Sequence, residues 1–150
     1  MGKKFVLLLI SVVLSLSLFI SHCEEYNAIL TSYCSCQHCC SWHIGKDGKP
    51  KFNLRPNVTK IIGQTASGAI ARQGLTLAMP KQFPFGTHVY IDGKLLGVNE
   101  DRGGAIIMKG KVIKIDVFHN SHINALKFGK KFTKVKIVLP GENGIHNCDK

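Results

Sequence analysis

Acidic residues are scarce in this sequence, which has nine Asp and Glu against 20 Lys and Arg and a formal net charge of +11. Its 150 residues leave little room for a second domain. Only 19% of the residues are charged and 45% are hydrophobic, which excludes a disordered chain. The sequence also lacks repeats, low-complexity linkers and basic runs interleaved with aromatic residues. We therefore expect one folded domain whose partners are the acidic polymers of a cell envelope rather than nucleic acid.

A hydrophobic run long enough to span a membrane, roughly 20 residues, is absent as well. Instead, Lys3 and Lys4 precede an uncharged run over 5–20 that is rich in Leu, Val and Ile. A basic start followed by an apolar run of this length is typical of a secretory signal peptide. We predict a signal peptide over 1–23. Its removal takes away two of the 20 basic residues and leaves a net charge of +9.

Two alternatives stay open for this segment, and each would tie the domain to a membrane. Cys23 fits the lipid-bearing first residue of a lipoprotein, although His22 is bulky where such a site has a small residue. The segment could also be retained as an uncleaved anchor. Cleavage fits the pattern better than either alternative, so we expect a secreted or envelope-associated protein.

Cysteine is concentrated in one short stretch beyond the predicted cleavage point. Cys34, Cys36, Cys39 and Cys40 form this stretch, and a fifth cysteine, Cys148, stands alone near the C-terminus. Disulfides are the usual state of cysteines in an exported chain, and their pairing cannot be deduced from spacing. Zinc is the alternative, with His38 and His43 as further ligands, but structural zinc usually takes its ligands from two separated pairs. We expect disulfides, no bound metal and no other cofactor.

Short strands and turns predominate in the second half of the sequence. An Asp92-Gly93 turn joins two β-rich runs at 88–91 and 95–98, and further strands are predicted at 112–118 and 133–139. Between the last two strands, Ser121 caps a short helix that ends before Gly129. The absence of a βαβ rhythm favours an all-β fold with one short helix, built as a compact β-barrel.

The barrel is predicted to occupy residues 63–140. A Cys-rich irregular segment over 24–62 precedes it, and a tail over 141–150 follows it.

Three of the nine acidic residues are candidates for chemistry, because the others lie near the termini or in Asp-Gly turns. These three are Glu100, Asp101 and Asp116. Asp101 precedes two glycines, where backbone can approach a ligand closely. Asp116 lies in an apolar strand, where burial would raise its pKa toward the range of a general acid. The alternative is that Asp116 is a solvent-facing strand residue.

Five segments that occur in one order carry a family resemblance. They are 65–68, 85–91, 99–106, 115–118 and 121–129. Together they resemble the three-aspartate (3D) domain, a double-psi β-barrel found in bacterial and phage cell-wall proteins. These include the stationary-phase muralytic factors and the membrane-bound lytic transglycosylase A group. The resemblance extends from about residue 33 to 138.

This resemblance implies a monomeric lytic transglycosylase that acts on the glycan strands of peptidoglycan in the bacterial envelope or periplasm. By motif position, Asp116 would be the catalytic acid and base, and Asp101 would orient it and stabilise an oxocarbenium-like charge. Four further residues would contact the glycan or open the floor of its cleft. These are Thr65, Ser67, Gly103 and Gly104.

The sequence departs from the family at two positions. Met79 stands where the family has its first aspartate, and only Asp92 or Glu100 could replace that acid. Arg102 stands where the family usually has threonine, and a cation there is expected to lower the pKa of Asp101.

Two histidines near Asp116 raise the question of a metal triad. His119 and His122 are three residues apart, but no second ligand cluster supports such a triad, and His122 is expected to pack or cap the helix. Two further functional classes stay open beside the enzyme. One is a non-catalytic glycan-binding module, and the other is a disulfide scaffold of the barwin-like kind that acts as an inhibitor or in defence.

Overall fold

The computed structural model describes residues 24–53 and 60–141. The predicted signal peptide, Cys23 and Cys148 lie outside the described residues. In chain order, the elements are β1 (Glu24–Tyr33), α1 (Gln37–Cys40), β2 (Trp42–Ile44), β3 (Pro50–Phe52), β4 (Thr76–Ala78), β5 (His88–Ile91), β6 (Lys94–Asp101), β7 (Met108–Lys109), β8 (Val112–Phe118), α2 (His122–Phe128) and β9 (Lys131–Val138). Over these two ranges, no helix has the length and apolar character needed to cross a membrane.

Six strands pair in a closed ring in the order β1-β9-β5-β6-β4-β8, and β8 pairs again with β1. Two of the pairs, β1 with β8 and β4 with β6, are parallel, and the remaining pairs in the ring are antiparallel. The short β7 extends the sheet beside β8, whereas β2 and β3 form a separate hairpin. The predicted all-β fold is confirmed, with α1 as a second short helix that the sequence analysis did not predict.

Apolar side chains from alternate strand positions fill the interior of the ring. In β8, for example, Ile113, Ile115 and Val117 are buried, whereas Lys114 and Asp116 between them are only partly buried. This alternation is the period-two pattern of a strand with one face on a core. The core therefore fixes which residues of β8 face away from it, and Asp116 is one of them.

The predicted turn and helix form as expected. Asp92 and Gly93 have φ values of 48° and 72°, and this left-handed pair joins β5 to β6 in an antiparallel hairpin. Ser121 caps α2 by accepting a hydrogen bond from the backbone N–H of Asn124 at 3.2 Å, and the helix ends before Gly129.

The expectation of irregular structure over 24–62 was wrong for much of this segment: its first ten residues form β1, and the short α1, β2 and β3 follow. The strand β1 pairs along its length with β8 on one side and β9 on the other. Only Ala28 and Leu30 are buried in it, so its sequence shows too little alternation to predict a strand. The extended structure of β1 is stabilised by pairing with residues about 85–110 positions away, and not by its local sequence.

Candidate active site

Asp101 and Asp116 lie in one row across the sheet because both are paired with the same residue, Ala78. Ala78 of β4 pairs with Asp101 of β6 on one side and with Asp116 of β8 on the other. The two aspartates are therefore two strands apart, which corresponds to about 10 Å between their Cα atoms. All three residues line one cleft of about 370 Å³, and the small side chain of Ala78 leaves space between the two carboxyl groups.

An irregularity in the ladder puts Asp101, rather than Glu100, in this row. Leu77 pairs with Asn99, but the register then shifts and Ala78 pairs with Asp101. Glu100 accepts a hydrogen bond from the Thr76 hydroxyl at 2.6 Å and is not part of the cleft wall. Asp92 lies in the hairpin turn. Neither residue therefore supplies the acid that Met79 replaces.

Asp116 is held by β1. The Thr31 hydroxyl, directly opposite on this parallel neighbour, donates a hydrogen bond to Oδ1 of Asp116. Burial raises the pKa of Asp116 above its usual range, and the charge of Asp101 adds to this, while the Thr31 hydrogen bond and Lys114 oppose it. The direction of the pKa shift is the one expected from the apolar neighbours in the sequence.

Asp101 accepts three hydrogen bonds. Its Oδ1 atom accepts from the backbone N–H groups of Ala66 and Arg102, each at 2.8 Å. Its Oδ2 atom accepts from the Tyr33 hydroxyl at 2.8 Å. Burial and the charge of Asp101 raise the pKa of Tyr33, so this hydroxyl stays protonated and remains a donor. Three donors from three segments fix the orientation of this carboxyl group.

The Arg102 side chain does not contact that carboxyl group, contrary to the expectation from sequence. Its guanidinium donates to Oδ1 of Asn99 at 2.6 Å and to the carbonyl of Phe83 at 2.7 Å. It also lies 4.1 Å from the ring centroid of Phe85, in cation–π geometry. Its contact with Asp101 is to the main-chain carbonyl, at 3.1 Å. Arg102 thus supports the strand end that carries Asp101 through bonds to main-chain carbonyls and to Asn99, and not through a bond to the Asp101 carboxyl group.

The four predicted substrate residues divide into two groups. Gly103 and Gly104 line the cleft. Thr65 and Ser67 do not, and Thr65 is only 1% exposed; their hydroxyl oxygens are 3.0 Å apart within a tight turn. This turn presents the N–H of Ala66, between them, to Asp101. Met79 is fully buried in the core, so it neither lines nor obstructs the cleft.

Apart from Gln64, the opposite wall of the cleft comes from the segment 24–62 that the sequence analysis called irregular. Its lining residues are Tyr33, Cys39, Cys40, Ser41, Phe52, Lys60 and Gln64. Tyr33 and Thr31 were not predicted as site residues, because their role depends on β1. Burial and nearby Asp101 raise the pKa of Cys40 to about 11, so this thiol is protonated and is a poor nucleophile.

The four cysteines of the described ranges are free thiols, so the predicted disulfides are not confirmed there. Three of them surround Nδ1 of His122, the first residue of α2. His122 was expected to cap or pack, but Ser121 is the cap. The ring nitrogens of His119 are buried without a hydrogen-bond partner in the described part of the chain, and this ring packs against Phe128.

Comparison with known families supports the resemblance over the second half of the chain. Residues 76–139 match the family model of the 3D domain. Residues 76–139 therefore correspond to the 3D domain, the three-aspartate domain of the double-psi β-barrel family. The matched range contains Asp101 and Asp116 and begins after the cysteine cluster. Such a domain is consistent with a module that acts on peptidoglycan. A search of curated proteins gave no match.

Proposed function

We propose that this protein cleaves the glycan strands of bacterial peptidoglycan in a lytic-transglycosylase-like reaction, with Asp116 as the single acid and base. One observation carries the proposal: Ala78 pairs with Asp101 and with Asp116, so both acids line one open cleft. The 3D domain and the basic charge of the chain support a substrate in the anionic cell wall.

Asp116 has the environment that a general acid needs. Burial raises its pKa and so extends the protonated form to higher pH. In the proposed first step, its proton passes to the oxygen that links N-acetylmuramic acid to N-acetylglucosamine, and the bond from that oxygen to the muramyl C1 breaks. The carboxylate of Asp116 then removes the proton of the muramyl 6-hydroxyl, whose oxygen bonds to C1. The products are a 1,6-anhydromuramyl end and a free N-acetylglucosamine hydroxyl, without consumption of water.

Asp101 has a different task in this scheme. Because three donors hold its carboxyl group, it is a fixed acceptor on the far side of Ala78. We assign it the role of stabilising the positive charge that develops near C1 in the oxocarbenium-like transition state. A second carboxylate that activates water is not required, because the 6-hydroxyl of the substrate is the nucleophile.

The direct test is digestion of purified sacculi with the purified protein, followed by mass spectrometry of the soluble products. Muropeptides that end in 1,6-anhydromuramic acid would support the proposal. Products with reducing ends would indicate hydrolysis and contradict the proposed reaction.

The hydrogen bond from Thr31 gives a pH prediction. This bond favours the ionised form of Asp116, so its removal in Thr31→Val should raise the pKa of Asp116 further. The acid then stays protonated to higher pH, and the alkaline limb of the kcat/KM profile should move to higher pH. Thr133→Val, on the neighbouring β9, is the control. An alkaline limb that stays in place or moves to lower pH in Thr31→Val would contradict the assignment.

Gly104 offers a way to block the cleft without disturbing the fold. A Cβ atom at this position would have no neighbour within 4 Å. We expect Gly104→Phe to lower kcat/KM by about tenfold or more, equivalent to about 1.4 kcal/mol of lost transition-state binding. Its unfolding free energy should change by less than about 0.5 kcal/mol. Gly104→Ala is the control and should retain activity. Full activity of Gly104→Phe would show that the glycan does not use this cleft.

A non-catalytic glycan-binding module is the second candidate, favoured by one observation. Met79, in place of the family's first acid, is fully buried, and neither Asp92 nor Glu100 lines the cleft. Pull-down with sacculi distinguishes the two candidates: binding without soluble product at any pH between about 4 and 8 would favour the binding module.

A further inference from the structure

The cysteine cluster and His122 form a group of four soft ligands outside the set of acids described above. The four are Cys34, Cys36, Cys39 and His122, and their ligand atoms all lie within 4.8 Å of one another. We propose that these residues bind one zinc ion, through three thiolate sulfurs and Nδ1 of His122.

Four distances among these ligand atoms match those of a tetrahedral zinc site. Zinc bonds of about 2.3 Å to sulfur and 2.0–2.1 Å to nitrogen place tetrahedral sulfurs about 3.8 Å apart and each sulfur about 3.6 Å from the nitrogen. Sγ of Cys34 and Sγ of Cys39 are 3.7 Å apart. Nδ1 of His122 is 3.8, 3.5 and 3.6 Å from the sulfurs of Cys34, Cys36 and Cys39 respectively. The three sulfurs thus surround the histidine at the separations of a metal site, not at that of a sulfur–sulfur bond.

Local structure explains why these three cysteines, and not Cys40, face His122. Cys34 follows β1, while Cys36 is the N-cap of α1 and Cys39 lies three residues later, on the same face of that turn. Cys40 points elsewhere, because its Sγ atom donates to the carbonyl of Cys34 at 3.2 Å. Like Cys39, it lines the cleft.

The position of His122 removes the sequence-based argument against a metal site. That argument was that every soft ligand lay on one short stretch, but His122 adds a ligand from α2, more than 80 residues away. Ser121 holds the start of α2 by its cap, so the imidazole is presented from a fixed helix end. The set is therefore two-sided, as structural zinc sites usually are.

The anchoring of α1 explains why such a site is useful. This helix has four residues and buries none of its side chains, and no residue of the neighbouring β2 and β3 is fully buried. Apolar packing thus contributes little to holding this wall of the cleft against the ring. A zinc ion would join the end of β1, α1 and α2 through coordinate bonds. With four protein ligands the site is closed, so its role is structural.

Binding requires that the three thiols lose their protons to solvent and that the imidazole ligates in its neutral form. The bound group then has a net charge of −1, from three thiolates and one divalent ion. A chain with a formal net charge of +11 can accommodate that charge. No redox step is involved, because zinc stays divalent and the thiolates are not oxidised.

The experiment measures metal and thiols in the full chain purified without reductant or chelator. We expect one zinc per chain by inductively coupled plasma mass spectrometry and an intact mass without loss of hydrogen. Reconstitution with Co²⁺ should give the intense visible bands of tetrahedral cobalt and a thiolate-to-cobalt charge-transfer band in the near ultraviolet. A mass lower by about 2 Da, from a disulfide among the three cysteines, together with absence of zinc would overturn the proposal.

Paired variants identify the ligands. Cys36→Ser and His122→Asn should weaken zinc binding by more than about 100-fold in competition with a chromophoric chelator. Their controls are Cys40→Ser and His38→Asn, which change a neighbouring thiol and a neighbouring imidazole; both should keep one zinc. Equal loss of zinc in the controls would overturn the ligand assignment. If the ligand variants do not fold, the Co²⁺ spectrum of the unmodified chain decides, because its absence would contradict the site.

Discussion

Asp116→Asn should lower the rate of release of anhydromuropeptides from sacculi by at least about 100-fold, because a positioned general acid contributes roughly 10²–10⁴-fold. The amide cannot donate the proton that the glycosidic oxygen needs, yet it has the same shape and can keep a hydrogen bond with Thr31. Initial rates of product formation, followed by mass spectrometry, measure the effect. A variant that still releases product at a comparable rate would exclude Asp116 as the acid.

The same substitution should not destabilise the fold. A carboxyl group whose folded-state pKa is raised contributes stability at low pH that is lost as the pH rises through that pKa. The amide does not ionise, so the variant escapes this loss. We expect its Tm to equal or exceed that of the unmodified chain at pH 7, with the difference vanishing at acidic pH. This separates loss of chemistry from loss of structure.

Asp92→Asn is the matched control, because it makes the same chemical change in the hairpin turn, outside the cleft. Asn adopts the left-handed conformation of this position as readily as Asp does. It should leave both the rate and the Tm unchanged. A loss of activity in this control equal to that of Asp116→Asn would show that neither substitution reports on the acid.

Arg102→Ala should produce the largest loss of stability among single substitutions near the site. The change removes the hydrogen bonds from the guanidinium to Phe83 and Asn99, and it leaves Oδ1 of the fully buried Asn99 without a donor. Loss of charge-assisted hydrogen bonds and a buried unsatisfied acceptor together cost about 2–4 kcal/mol. The Tm should fall by on the order of 10 °C.

Arg72→Ala is the control for this prediction. Arg72 is an exposed arginine whose guanidinium lies 3.8 Å from Glu100, and an ion pair of that kind contributes about 0–1 kcal/mol. Chemical denaturation of the two variants measures the difference. An Arg102→Ala variant as stable as Arg72→Ala would show that Arg102 does not support the strand end beneath Asp101.

Local sequence patterns were sufficient to predict the elements that are stabilised by residues close in sequence. The Asp92-Gly93 turn, the cap at Ser121 and the alternating strand β8 depend on neighbours within a few residues. The choice of Asp101 and Asp116 as site residues depended on the family resemblance, because the sequence without it left three candidate acids.

Features that depend on distant pairing could not be predicted. The strand β1 has weak alternation, so Thr31 and Tyr33 were missed although they hold the two acids. The direction of the Arg102 side chain depends on the buried amide of Asn99, which no local pattern indicates. His122 meets the cysteines only because the fold brings the start of α2 to the end of β1.

The shared pairing of Ala78 means that the separation of the two acids is set by main-chain hydrogen bonds and not by side-chain packing. Side-chain substitutions in the core can therefore change the stability of the chain while the two positions keep their distance. A descendant that lost either acid would retain the scaffold that spaces them, and one substitution would restore the pair. The spacing of the two positions is in this sense heritable independently of the acids that occupy them.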